Sequence, residues 1–129
     1  EVLTKIVLPR KGYEGFTGHY IKYAMRNAMD IATLGVSCLA QLSQDKRETR
    51  QVRLAFGVAG PVPMRAPGAE AAASNRPVEQ ALAAIGPAAL GDVSPRSSWR
   101  ASREFRLQLV EELSARALAE AMRKGGAQV

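Results

Sequence analysis

A single cysteine in 129 residues excludes an intramolecular disulfide, a cysteine-ligated iron–sulfur cluster and a structural zinc site, each of which needs several thiolates. Cys38 lies in Leu34-Gly-Val-Ser-Cys-Leu-Ala40 and reads as a small buried hydrophobe. Histidine is equally scarce. His19 has no Asp, Glu or Cys close to it in sequence, so no orienting acid for a general base is in view, and it reads as a polar residue at a strand start. Aromatics make up only 5%, which leaves alanine, leucine and valine to fill the core. No apolar run approaches the ~18 residues of a transmembrane helix, and no secretory pattern opens the chain. The initiator Met is also absent. Opening at once on strand-like sequence is what a piece of a longer polypeptide would show.

What is present is enough for one core: 47% of the residues are hydrophobic, too many for a disordered chain. The net charge of +6 would attract nucleic acid, an acidic partner or an anionic cofactor. The cations do not form one block. Arg96, Arg100, Arg103 and Arg106 cluster, but Glu104, Glu111 and Glu112 lie among or just after them, so the segment reads mostly as solvated surface.

Residues 2–8 begin by alternating, become continuously apolar and stop at Pro9, which predicts a strand. Residues 10–18 are a glycine-rich loop. Residues 18–24 alternate weakly and fit a short strand. Residues 27–33 are compatible with one helical turn, which the residue types leave open. In 34–43, Leu34, Val36, Cys38, Ala40 and Leu42 would share one strand face. The polar stretch 44–49 turns the chain, and 52–59 returns as the partner strand of an antiparallel hairpin. Gly60-Pro-Val-Pro63 ends it.

The second half is helical in character. An alanine-rich helix is expected in 65–74, with a break at Asn75-Arg-Pro77. Pro77 suits the first turn of a second helix over 78–90, itself interrupted at Gly86-Pro87. Ser102 is a candidate N-cap for a long last helix ending at Gly125-Gly126, with Phe105, Leu109, Leu113, Ala117 and Ala121 recurring every four residues. Strands first and helices after predict an α+β fold, an antiparallel sheet with helices on one face.

Few residues carry recognisable chemistry. Gly15-Phe-Thr-Gly18 and Gly57-Val-Ala-Gly60 match the G-x-x-G of a KH-type RNA clamp, but each lies beside a strand instead of between two helices. Both read as turn glycines, and neither matches a dinucleotide fingerprint or a P-loop. Lys22, Arg26 and Asp30 are spaced by four. On a helix they would ladder; on a strand followed by a turn they would diverge and leave Lys22 free. A lysine on an edge strand is usually a solubilising charge.

Three stretches alter that reading: Tyr20-x-Lys22-x-x-x-Arg26-x-x-x-Asp30-Ile-Ala32; Val52-Arg-Leu-Ala-Phe-Gly57 with Gly60-Pro-Val-Pro-Met-Arg65-Ala66 and Glu70; and Trp99-Arg100-Ala-Ser102-Arg-Glu-Phe105-Arg106. In this order and spacing they resemble the C-terminal domain of the FAD-binding subunits of xanthine and carbon monoxide dehydrogenases, from about Leu3 to Met122. The resemblance implies a three- to four-stranded antiparallel sheet packed against three helices. It implies that residues 1–129 are a single C-terminal domain, without the N-terminal subdomains that hold most of the flavin. It also implies FAD-contacting positions at Lys22 and Leu3, Leu3 lying in the strand that opens the domain, with no catalytic residue and no metal ligand in this chain. The implied setting is a cytoplasmic complex. A molybdenum cofactor and 2Fe-2S clusters would sit on partner subunits, NAD would accept the electrons, and neither nucleic acid nor membrane would take part. Many relatives carry two adjacent arginines where this chain has Arg26-Asn27. A second reading keeps the fold and drops the flavin: a non-catalytic scaffold domain that assembles subunits.

Overall fold

The structure, a computed structural model, describes residues 1–129. Its frame is a five-stranded antiparallel sheet. Three long strands, β1 (Thr17–Tyr23), β2 (Leu34–Leu42) and β3 (Glu48–Gly57), run in the order β1-β2-β3. Two short strands, β4 (Met64–Arg65) and β5 (Arg76–Pro77), pair with opposite ends of β3. Helices α1 (Pro67–Ala73), α2 (Val78–Ala89) and α3 (Arg103–Lys124) supply the second layer. This is the expected α+β architecture, with the two short strands added.

The strand period decides which residues meet the helices. Leu34, Val36, Cys38 and Ala40 of β2 face the same way as Val52, Leu54 and Phe56 of β3, and all are at most 2% exposed. They join one continuous cluster of 23 buried apolar residues with Val110, Leu118 and Met122 of α3 and the small alanines of α1 and α2. Cys38 lies within it, and its thiol is pushed up to about 12, chiefly by burial and then by the Glu70 charge. It is an inert core residue. Ser102 caps α3, its hydroxyl accepting from the Phe105 N–H at 3.1 Å, as the sequence predicts.

The sequence reading needs correction in three places and is completed in a fourth. Residues 2–8 form no strand; they run as an exposed arm that no hydrogen bond ties to the body. A strand needs a neighbour for its backbone groups; the outer edge of β1 is open, but the arm does not pair with it. The structure settles what the residue types left open at 27–33: bends at 27–29 and irregular chain after them, with no helical turn. Pro77 stands at the N-cap of α2, one residue before the position expected. Finally, α2 passes unbroken through Gly86 and Pro87. A Cβ on Gly86 would lie 2.5 Å from the Glu111 backbone oxygen of α3. Close helix approach there outweighs the hydrogen bond lost to Pro87.

Candidate functional site

β1 sorts its side chains between two environments. Thr17, His19, Ile21 and Tyr23 turn toward the helical layer. Thr17 Oγ1 donates to the Ala121 carbonyl at 2.7 Å, and the Tyr23 and Phe105 rings meet edge-on at 6.1 Å. Tyr20 and Lys22 turn to the other face, which no helix covers. Across that face the register gives two short rows, Lys22–Gly35–Gly57 and Tyr20–Ser37–Ala55–Arg65. The middle of both rows is Gly, Ser and Ala, so the surface beside Lys22 is flat. Tyr20 leans over Gly35, its hydroxyl 3.1 Å from where a Gly35 Cβ would stand. Toward the other end of this face the loop before β1 folds over it: the Arg53 guanidinium lies 4.3 Å from the Phe16 ring centre and donates to the Gly12 carbonyl.

Lys22 does not diverge from Arg26 and Asp30. The loop after β1 folds back, and the Lys22 ammonium donates to the Asp30 carbonyl at 2.6 Å. The Asp30 carboxylate accepts from the Arg26 backbone N–H at 3.1 Å, and the Arg26 guanidinium donates to the Met29 carbonyl at 3.0 Å. Desolvation raises the Asp30 pKa, but the Arg26 and Ile31 N–H groups and the Arg26 charge together hold it below its ordinary value. The spacing of four is therefore used by a loop, in which a backbone oxygen receives the lysine. The same loop exposes Met25, Met29 and Ile31, and Met29 holds φ +50°.

The structure gives Leu3 a different setting. It stands 78% exposed on the arm with Val2, Ile6, Val7 and Leu8, and no hydrogen bond joins that arm to β1. His19 has Lys124 as its neighbour, Nδ1 to Nζ 3.1 Å, and no carboxylate to orient it. Of the two G-x-x-G segments, the first leaves its turn at Gly15 and enters β1, so Gly18 is a strand residue and no turn glycine; the second leaves β3 at Gly57 and bends through Gly60. In the second, the positive φ of +69° falls on Val58, not on a glycine. That strain for a β-branched residue lets Ala59 enter the core while its carbonyl accepts from the Ser94 N–H at 3.0 Å. Glu70, singled out in the second motif, clamps β4 to α1: its carboxylate accepts from Arg65 Nε at 2.6 Å and Nη2 at 2.5 Å, and from the Leu54 N–H at 3.0 Å.

Sequence reasoning missed the burial of Arg106. The sequence groups it with solvated arginines, yet it is 2% exposed. Its one sequence signal is position: it follows Phe105 on a helix whose apolar stripe includes Leu109, Val110 and Leu113, which places it at the stripe's edge. No group of three or more His, Cys, Asp or Glu side chains is placed to hold a metal ion. No helix is long and apolar enough to cross a membrane.

The site is thus an exposed ammonium, held by one backbone oxygen, beside a flat patch and an apolar loop. It can donate hydrogen bonds and stabilise negative charge; it has no nucleophile–base pair. Known proteins share this frame. The sequence pattern of the CO dehydrogenase flavoprotein C-terminal domain matches residues 19–121. The chain is 44% identical, over 98% of its length, to the xanthine dehydrogenase FAD-binding subunit of Escherichia coli O157:H7, of which it covers 43%. A xanthine dehydrogenase FAD-binding subunit of E. coli K12, described as putative, matches to the same extent. The chain therefore spans less than half the length of these curated relatives. Among solved structures, a carbon monoxide dehydrogenase from Hydrogenophaga pseudoflava superposes with a TM-score of 0.75 at 25% identity, over 84% of this chain and 37% of that one. Quinoline 2-oxidoreductase from Pseudomonas putida 86 shares the fold, with a TM-score of 0.76 at 21% identity over 84% of this chain and 38% of that one. A pattern match over most of the chain, with all three motif stretches in place, shows that the chain belongs to the CO dehydrogenase flavoprotein C-terminal domain family.

Proposed function

We propose that this chain is the C-terminal domain of the FAD-binding subunit of a xanthine dehydrogenase, and that Lys22 and Leu3 contact the flavin. The observation that carries the reading is the state of Lys22: exposed, on the face of the sheet that the helices leave bare, with one of its three N–H donors given to Asp30 and two still available.

The residues present fit such a group. The edge of an isoalloxazine ring offers carbonyl and ring-nitrogen acceptors, and its faces are apolar. Lys22 supplies donors and positive charge for the edge. Gly35, Gly57, Ser37 and Ala55 leave room for close approach, and Tyr20, Met25 and Ile31 are exposed apolar neighbours. Leu3 would add an apolar wall from the arm. When bound, FAD supplies the hydride and electron transfer. This chain's residues orient and cover it, and none makes or breaks a bond.

In the complete enzyme a molybdenum-binding subunit would hydroxylate a purine, 2Fe-2S clusters on a partner would carry the electrons, and NAD would receive them from FAD, all in the cytoplasm. The main cradle of the flavin would lie in an N-terminal part of the subunit. The 129-residue chain alone is expected to hold no FAD tightly.

The test is Lys22→Ala in the full subunit. The flavin absorption spectrum and midpoint potential should shift, the potential toward harder reduction, while the fold stays intact. Unchanged spectrum, potential and flavin content would overturn the contact and favour the scaffold reading. That second reading draws on the exposed arm, where Val2, Leu3, Ile6, Val7 and Leu8 are each 66–87% exposed and suited to packing on another surface.

A further inference from the structure

Arg106 sits in the first turn of α3 and is 2% exposed, yet no carboxylate pairs with it. Its Nη1 donates to the Arg96 carbonyl and its Nη2 to Ser98 Oγ at 2.8 Å. Its Nε is buried without an acceptor, and so is the Nε of Arg100. The nearby charges are of the same sign. Desolvation, then the Arg96 and Arg100 guanidinium groups, lowers the pKa of Arg106. A buried cation surrounded by cations and lacking an anion is an incomplete arrangement. What the cluster lacks is a compensating negative charge.

The surroundings say what carries it. Arg96 is exposed and lines an open groove of about 600 Å³, whose other walls include Val58, Pro61, Val62 and Pro63. Val62 is 65% exposed. On the same loop as Arg100, Trp99 is 79% exposed, its ring 4.2 Å from the Arg100 guanidinium. Exposed tryptophan and arginine are the side chains that anchor protein–protein contacts, and here Arg96 joins the Trp99 loop to the groove. A small free anion would have no use for the apolar walls. The net charge of +6 favours an acidic partner. We infer that Arg96 and Arg100, the reachable members of this cluster, form with Trp99 a docking point for an acidic segment of a partner polypeptide, whose carboxylates offset the positive charge that the enclosed Arg106 leaves uncompensated. The inference is independent of the flavin contact at Lys22.

Trp99 is the only tryptophan, so its fluorescence reports on this loop alone. The full chain is titrated with a blocked tetra-glutamate peptide, a blocked tetra-glutamine peptide and inorganic phosphate. Calorimetry on the same solutions reads binding without relying on the indole. The glutamate peptide should give a saturable signal that weakens with salt, and the glutamine peptide none. In the Arg96→Gln/Arg100→Gln double variant the midpoint should rise by at least about tenfold. That variant leaves Arg106 in place, and circular dichroism checks its fold. No saturable glutamate signal by either method, or an unchanged midpoint in the variant, overturns the proposal. So does tighter saturation by phosphate alone, or by an oligouridylate added as a further arm.

Discussion

The two faces of the central sheet are built from the same three strands and differ in volume. Toward the helices, β2 and β3 present Leu34, Val36, Val52, Leu54 and Phe56, none more than 2% exposed. Each such side chain contributes roughly 1.5–3 kcal/mol through burial. One residue along, the same strands present Gly35, Ser37, Ala55 and Gly57 to the other side. An antiparallel sheet with one wet face usually carries polar side chains there. The end of this face nearest Lys22 carries very small ones instead, with Tyr20 and Lys22 at its margin, while Leu39, Arg53, Gln41 and Gln51 occupy the other end. The small residues contribute little to the core and do little for solubility; what they permit is close approach of another flat surface. The lesson is that the folding energy sits on one side of the sheet, and the identity of residues on the other is free to serve something outside the domain.

The largest effect that separates the faces is expected at Phe56. Phe56→Ala empties a fully enclosed position and should cost about 3–5 kcal/mol in urea unfolding. A loss under ~1 kcal/mol would mean that the helical layer is not the seat of stability. Next comes Gly86→Ala. Helix propensity alone favours alanine over glycine by about 1 kcal/mol. The added Cβ would lie 2.5 Å from the Glu111 backbone oxygen, which has no rotamer to yield, so overpacking of about 1–3 kcal/mol opposes it. A net loss in thermal denaturation is expected; a net gain would show that α2 and α3 are loosely seated.

The covered face was legible in the sequence because it depends on local period. Alternation in β2, a polar turn and a returning strand are all within 24 residues, and Ser102 precedes a four-residue apolar stripe. The unbroken passage of α2 through Pro87 was not legible, because its cause is a residue of α3 some two dozen positions away. The arm forms no strand because alternation alone does not supply pairing: it makes no hydrogen bond to the open edge of β1. At the open face the lysine and its motif were visible, but its bond to the Asp30 carbonyl depends on how a loop closes, and backbone oxygens carry no sequence signature. Burial of Arg106 was hidden because arginine is rarely interior and its partners are a backbone oxygen and a serine.

A smaller effect on the covered side is expected at the mouth of α3. Ser102→Ala removes the acceptor of the Phe105 N–H and should cost about 1 kcal/mol. Hydrogen exchange distinguishes this from a global loss: the Phe105 amide should exchange faster by more than the core amides of β2. Uniform acceleration would instead tie the cap to the whole layer.

The smallest effect belongs to the open face, and it pairs directly with Gly86. In Gly35→Ala the new Cβ would stand 3.1 Å from the Tyr20 hydroxyl, the far end of a side chain that is 61% exposed and free to swing out. Gly35 is not among the glycines at positive φ, so its extended backbone accepts alanine without strain. Reduced freedom of the unfolded chain favours the variant by about 0.4–1 kcal/mol. Displacing Tyr20 from its contact takes some of that back. The net change should lie within about 0.5 kcal/mol of zero. The same chemical change, one methyl group on a glycine, would then be costly between helices and nearly silent on the bare sheet. If Gly35→Ala instead costs as much as Gly86→Ala, the bare face is bearing fold energy, and the division between the two sides of the sheet fails. If it is silent in the isolated chain but disturbs the flavin spectrum of the full subunit, the flatness of that face matters to what it covers.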